Sequence, residues 1–420
     1  MQEILGTYKV IWDLFLGYWW LILPIILFFI LKKIWMKHIK KEFIKGLQWT
    51  TLEIRIPRNV VKTPKAMEQF FTGIHVSKKD PDFKEKYFKG EIPPWHSLEI
   101  FGKSGSIHFL MRVQEKFRNL FESQIYAQYS QAEINETEDY VPLIPNDIPN
   151  KEYDIALTEL MLLKEDAYPI RTYPVFFEEK DPEERSDPLA GLFEFLSTLK
   201  PNENVGIQFI ISPCDDKWKE EGEALVGKMI GREVKLDKKQ GLIVKEIGSW
   251  TKSFGDGIRE LFFGGSSEIK KEDAKEQVAY LSPGQKDVAL AVEKNIAKLG
   301  FKVLIRFAYW APKDIFSKDR LSSIAGFFVQ FNTQNLNGFK PNKKIFTKYK
   351  IFKKSREELQ KRERFDEYKK RKLVPKRAFV LSTEELATVF HIPNVFVESE
   401  TMEKLEAKKG SPPSGLPVEL

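Results

Sequence analysis

A chain of 420 residues, 42% of them hydrophobic and including 33 phenylalanines, is too long for one ordinary core and too apolar to be disordered. Its one cysteine, Cys214, excludes an intrachain disulfide framework and fits a reducing compartment. The net charge of +7 is concentrated: residues 32–45 carry six lysines against one glutamate, and residues 343–377 sixteen basic side chains against five acidic ones. Charge placed this way reports location and contacts, not the character of the whole surface.

From the N-terminus, Leu14–Leu31 is a run of eighteen residues without a formal charge. With Ile34, Trp35 and Met36 it approaches the ~20 residues that cross a bilayer as a helix. Tyr18, Trp19, Trp20 and Trp35 suit the two interfaces, and Pro24 is tolerable at the cost of a kink. A cleaved signal peptide is disfavoured, because the lysines follow the run and no small-residue cleavage site is evident. Lys32, Lys33, Lys37, Lys40, Lys41 and Lys45 follow the span, against Lys9 before it. That asymmetry expects an inner-membrane anchor over 1–45 with the bulk of the chain in the cytoplasm. The same lysines are candidates for contact with anionic headgroups.

Residues 46–150 read as one α+β domain. Leu52-Glu-Ile-Arg-Ile alternates as a strand, Thr63-Pro64 opens a helix, and Met67, Phe70, Phe71 and Ile74 form one apolar helical face. A polar insertion from Ser77 to Pro94 follows. Strands Ser97–Phe101 and Ser106–Val113 flank the loop Gly102-Lys-Ser-Gly105, which predicts Glu99 opposite His108 on the outer face. A helix carrying Phe117, Leu120, Phe121 and Ile125 and a strand at Ala132–Glu136 complete the order βαββαβ, the ferredoxin-like pattern.

Residues 151–345 repeat these ingredients, with strands expected at Ile155–Leu163, Ile170–Phe177, Val205–Ile211 and Phe301–Trp310. Asp187-Pro188 opens a helix bearing Leu189, Leu192, Phe193, Leu196 and Leu199, and Trp218–Ile230 forms another. An insertion of about 231–284 interrupts this second ferredoxin-like unit. It resumes at Ser282-Pro-Gly-Gln285, a capping box, and a later helix presents Leu321, Ile324, Ala325 and Phe328. Cys214 is expected as a small apolar residue at a strand end.

Residues 346–377 form a basic helix in which Lys361, Arg362, Arg364, Lys369, Lys370, Arg371 and Lys372 are candidates for contact with DNA phosphates or anionic lipid. The alternative is a solvated connecting helix, supported by Glu357–Lys361 and Glu358–Arg362 pairs. Phe365 and Tyr368 are too few for sequence-specific base stacking. Residues 378–420 comprise a short helix opened by the capping box Ser382-Thr-Glu-Glu385, then a linker-like tail.

Nothing in the chain has the pattern of a catalytic or metal site. Phe101-Gly-Lys-Ser lacks the earlier glycine of a phosphate loop and joins two strands. His38, His75, His96, His108 and His391 show no metal-ligand spacing, and no serine sits in a nucleophile elbow. No enzyme activity, cofactor or metal is expected.

Ile107-His-Phe-Leu-Met-Arg-Val, Glu122-Ser-Gln-Ile-Tyr-Ala-Gln-Tyr129 and Asp139-Tyr140 resemble the membrane-proximal region of coupling-protein-like ATPases of type IV secretion and conjugation. Leu381–Pro393 and Glu406–Pro417 resemble the segment just before their motor domain. The resemblance implies a membrane-anchored, non-catalytic component of a DNA-transfer apparatus, working as an oligomer with a separate hexameric ATPase and other envelope-spanning subunits, and touching DNA non-specifically. The competing expectation is an envelope scaffold that binds other membrane proteins, with no motor and no DNA.

Overall fold

The computed structural model describes residues 2–56, 62–145, 147–177, 187–230, 282–342 and 353–393. Helix α1 (Gln2–Lys45) runs unbroken through Pro24. The first α+β unit follows as β1 (Trp49–Arg55), α2 (Lys65–Ile74), β2 (His96–Lys103), β3 (Ser106–Gln114), α3 (Arg118–Gln128) and β4 (Glu133–Glu136). The second comprises β5 (Tyr153–Leu162), α4 (Tyr173–Phe176), α5 (Ala190–Ser197), β6 (Asn204–Pro213), α6 (Lys217–Met229), α7 (Pro283–Ile296), β7 (Gly300–Pro312), α8 (Asp319–Phe327) and β8 (Phe339–Pro341). The chain then returns through α9 (Lys353–Lys369), β9 (Phe379–Ser382) and α10 (Thr383–Val389).

Among the described residues, nine strands form one antiparallel sheet in the order β4-β1-β3-β2-β6-β7-β5-β8, with β9 pairing to β7. The two halves therefore share a sheet. They meet where β2 runs antiparallel to β6, from His96 opposite Ile211 to Lys103 opposite Asn204. Counted within its own half, each set of four strands has the order 4-1-3-2, and the second strands meet at the centre.

Alternation along the strands separates two faces. Val205, Ile207, Phe209 and Ile211 of β6, with Phe301, Val303, Ile305 and Phe307 of β7, point to one side. There they join Leu98, Ile100, Phe109 and Met111 and the apolar stripes of α2, α3, α5 and α10 in one core. Both expected capping boxes form: Ser282 and Ser382 accept from the backbone N–H groups of Gln285 and Glu385, whose side chains bond back. Cys214 is buried just beyond β6, and burial pushes its thiol up to about 12.

Two local expectations are corrected. Ile170–Phe177 is not a strand: Tyr173–Phe176 is one helical turn with Pro174 near its start, and Pro174 removes a ladder donor from the middle of the run. The β2–β3 loop has two residues, not four, with Ser104 at φ 50° and Gly105 at φ 88°, while Gly102 and Lys103 pair with Ile107 and Ser106. Positive φ at both central positions matches the strand twist and permits this tighter turn. The pairing therefore places Glu99 opposite Leu110, and His108 opposite Phe101. Most of the insertion, residues 231–281, and the tail, 394–420, lie outside the described residues.

Candidate functional site

The other face of the sheet carries polar residues side by side across four strands. Glu99 of β2 faces Gln208 of β6, Gln208 faces Arg306 of β7, and Arg306 faces Glu159 of β5. All four are buried, on the face of the sheet where α9 and Tyr140, Val141, Ile144 and Ile148 pack. Buried charges persist only when paired. Here the pairing comes from Arg371, just past the end of α9. Its Nε and Nη2 donate to Glu99, and its Nη1 and Nη2 to Asp139, both latter contacts at 2.8 Å. One guanidinium fork thus holds two carboxylates from the first half of the chain.

Aromatic groups close this arrangement. The Tyr140 ring stacks on Phe101 at 4.3 Å, and its hydroxyl donates to Glu99 at 2.6 Å. The Tyr368 hydroxyl then donates to Tyr140 Oη at 2.8 Å. Burial, then the Glu99 charge, raises the Tyr140 phenol well above its ordinary value. Burial opposes the charge on Arg371, but the carboxylates outweigh it and hold its pKa above the usual arginine value. Tyr368 reaches the strand because Gly206 lies beneath it; a Cβ there would stand 1.8 Å from the hydroxyl. Arg371 itself adopts φ 46°, a left-handed conformation that costs a side-chain-bearing residue about 1–2 kcal/mol.

A second network lies beside the first. Arg306 Nε donates to Glu159 at 2.9 Å, Arg377 approaches the same carboxylate at 3.3 Å, and Arg377 also contacts Glu367 of α9. The seven basic candidates therefore have different environments. Arg371 is interior. Lys361 pairs with Asp154 and Arg364 with Glu367, each at 2.8–2.9 Å, and Lys369 lies over the Phe365 ring. Lys370 pairs with Asp366 in solvent, Arg362 is exposed with a 3.3 Å bond to the Pro149 carbonyl, and Lys372 is exposed. Phe365 and Tyr368, the possible stacking residues, are buried against the sheet.

The lysines expected to flank a membrane lie on the C-terminal turns of α1. Lys33, Lys37 and Lys41 are exposed, Lys40 is half-buried, and the Lys32 ammonium stands 5.2 Å from the Tyr87 ring centre. Before them, the large apolar residues Ile25–Leu31 are all exposed, as are Trp20, Leu23, Ile34 and Trp35. Seven consecutive positions at 100° each go round the whole helix, so this surface is apolar on every side. Among the described residues, no helix is long and apolar enough to cross a membrane. The expected span begins in 14–22, where the side chains of 14–16, 18, 19, 21 and 22 lie outside the described residues.

Other polar groups are paired within the fold. His108 Nδ1 bonds Glu53 at 2.7 Å, and that bond, opposed by burial, holds the Glu53 carboxyl below its ordinary range. Asp187 and His391 form a buried pair at 3.0 Å, with the second ring nitrogen on the Ala387 carbonyl. Glu385 accepts the Ile170 N–H at 2.9 Å, and burial raises its carboxyl to about 7. Among the described residues, no group of three or more His, Cys, Asp or Glu could hold a metal ion. The pairs Glu99–Arg371 and Asp187–His391 were missed from the sequence. The former joins residues 272 apart and the latter 204 apart, and no local spacing signals such contacts.

A family model described as a domain of unknown function (DUF8128) matches residues 36–404. No curated protein matches the sequence.

Proposed function

Taking this chain as a member of the DUF8128 family, to which the match over most of its length assigns it, we propose that it is a membrane-anchored, non-catalytic assembly component of a type IV secretion or conjugative DNA-transfer apparatus. It holds a motor ATPase against the inner membrane from the cytoplasmic side. The observation that carries the anchoring is the all-round apolar surface of Ile25–Leu31 on a helix followed at once by lysines. An isolated helix of this kind has no stable place in water. The soluble part then reads as two ferredoxin-like units joined edge to edge, supported by the shared 4-1-3-2 strand order. The assignment to DNA transfer rests on the motifs resembling coupling proteins. Two of these supply working parts: Asp139 accepts from Arg371, whose guanidinium lies over the Tyr140 ring, and Leu381–Pro393 contains α10 and His391.

A second reading is favoured by one observation. Most charges of the basic helix are taken up by acidic partners, by an aromatic ring or by burial, which suits an envelope scaffold without DNA contact. Affinity capture from gently solubilised membranes, with mass spectrometry of the companions, separates the two. Recovery of a phosphate-loop ATPase supports the motor-positioning role. Recovery of envelope proteins alone supports the scaffold and removes the motor from the account.

A further inference from the structure

The polar insertion between α2 and β2 folds back onto the end of α1. The Trp35 indole N–H donates to the Tyr87 carbonyl at 3.1 Å, and Lys32 lies over the Tyr87 ring. Gly90 makes the closest approach: at φ 69°, a Cβ there would be 2.5 Å from the Ile39 carbonyl carbon and oxygen. A side chain at this position is excluded twice, by backbone conformation and by space. The π-helical turn Glu85–Lys89 is thereby fastened beside α1 immediately after its apolar stretch. Lys32 follows Leu31 directly, and Trp35 lies about one helical turn further on, so Tyr87 is held within about 6 Å along the axis from the last residue of the apolar run.

This turn leaves uncovered what a soluble surface ordinarily covers. Phe83 and Phe88 are 70% and 69% exposed. Lys84, Lys86 and Lys89 are exposed, and none forms an ion pair with a described residue. The nearby acids are already engaged: Glu85 and Glu91 both bind Lys79, and Asp82 accepts the Glu85 N–H. The local surface is therefore two largely exposed phenylalanine rings among exposed lysines, at the level where the apolar part of α1 ends. Phe83 rests 4.6 Å from the Tyr87 ring, and Lys86 lies over that tyrosine. Aromatic rings favour the boundary between acyl chains and headgroups, and lysines there attract anionic lipid.

We propose that the Phe83–Lys89 turn is a second membrane contact, in which Phe83 and Phe88 enter the interfacial layer of an anionic bilayer and Lys84, Lys86 and Lys89 meet its headgroups. The inference rests on the reading of α1 as a membrane anchor and adds a fixed orientation to it. One helix alone would leave the soluble part free to swivel; two contacts joined through Trp35, Tyr87 and Gly90 hold it in one pose.

The test uses the full chain in lipid nanodiscs, with single cysteines carrying an environment-sensitive fluorophore in a Cys214→Ser background. Labels replace Phe83, Phe88, Ile26 and Leu290, and each is read against lipids spin-labelled in the headgroup region or at the bilayer centre. Leu290, exposed on α7, serves as the remote control. The expected result is blue-shifted emission and headgroup-region quenching at 83 and 88, bilayer-centre quenching at 26, and neither at 290. Quenching at 83 is read again, in the Phe83→Cys label, after Lys84→Gln, Lys86→Gln and Lys89→Gln together, or in neutral lipid, and is expected to fall. Quenching at 26 without quenching at 83 and 88 overturns the inference and leaves the anchor standing. Absence of quenching at 26 overturns the anchor and this inference with it.

Discussion

The two faces of the sheet use the same strands but are held together in different ways. On one face, Phe209, Ile207 and Phe307 join one apolar core, where contacts such as Phe209 on Phe390 and Phe307 on Phe328 ask only for an apolar side chain of suitable volume. On the other, Glu99, Gln208, Arg306 and Glu159 are buried under α9, and each charge depends on a particular partner from a distant part of the chain. The first face stabilises by area removed from water. The second contributes little net stability by the same measure, but it penalises any arrangement that leaves a carboxylate unpaired. The difference explains how helix α9 is assigned to one position on an otherwise extended sheet.

Removing one partner of the polar face separates the behaviour of the two faces most clearly. Arg371→Met leaves Glu99 and Asp139 without their guanidinium and is expected to cost about 3–5 kcal/mol in denaturant unfolding. Adding Glu99→Leu should recover a large part of that loss, since the remaining Asp139 is partly exposed. On the apolar face, Phe209→Ala should cost a similar 3–5 kcal/mol, and no second single substitution should restore it. If Arg371→Met and its double variant were equally unstable, the polar face would be working by packing alone.

The pH dependence sharpens the picture at the C-terminal end. The Glu385 carboxyl, lifted from 4.5 to about 7 by burial, favours the folded state while protonated, below about pH 4.5. That contribution declines as the pH rises through about 7, amounting to at most about 3 kcal/mol. Wild type should therefore lose stability relative to Glu385→Gln between pH 4.5 and 7.5. Parallel unfolding midpoints for the two proteins across this range would contradict it.

Smaller effects test the closeness of α9. Gly206→Ala places a methyl group against the Tyr368 hydroxyl and should cost about 1–3 kcal/mol, relieved in part by Tyr368→Phe. Lys370→Gln removes only an exposed pair with Asp366 and should change stability by less than about 0.5 kcal/mol.

The apolar face was legible in the sequence because its signals are local. Met67, Phe70, Phe71 and Ile74 carry a helical period, and the strands from Val205 and Phe301 carry dense apolar runs. The capping boxes at Ser282 and Ser382 are equally local and form as expected. The polar face was not legible. Glu99 reads as a solvated residue until Arg371 arrives from 272 positions away. Its partner strand was also misaligned, because Lys103-Ser-Gly-Ser106 lacks the Asn-Gly signal of a two-residue turn. The basic helix showed its charge in the sequence but not its attachment, since the buried Phe365 and Tyr368 are only two apolar positions in a polar run.

Whether α1 holds this protein in the membrane is decided by alkaline extraction of membranes containing the full chain. The wild-type protein should remain with the pelleted bilayer at high pH and float with it in a density gradient. A variant with Ile26→Lys and Phe29→Lys should appear in the soluble fraction. Release of the wild-type chain by alkaline carbonate would contradict the account, and would place the exposed Ile25–Leu31 surface against a protein partner instead of lipid.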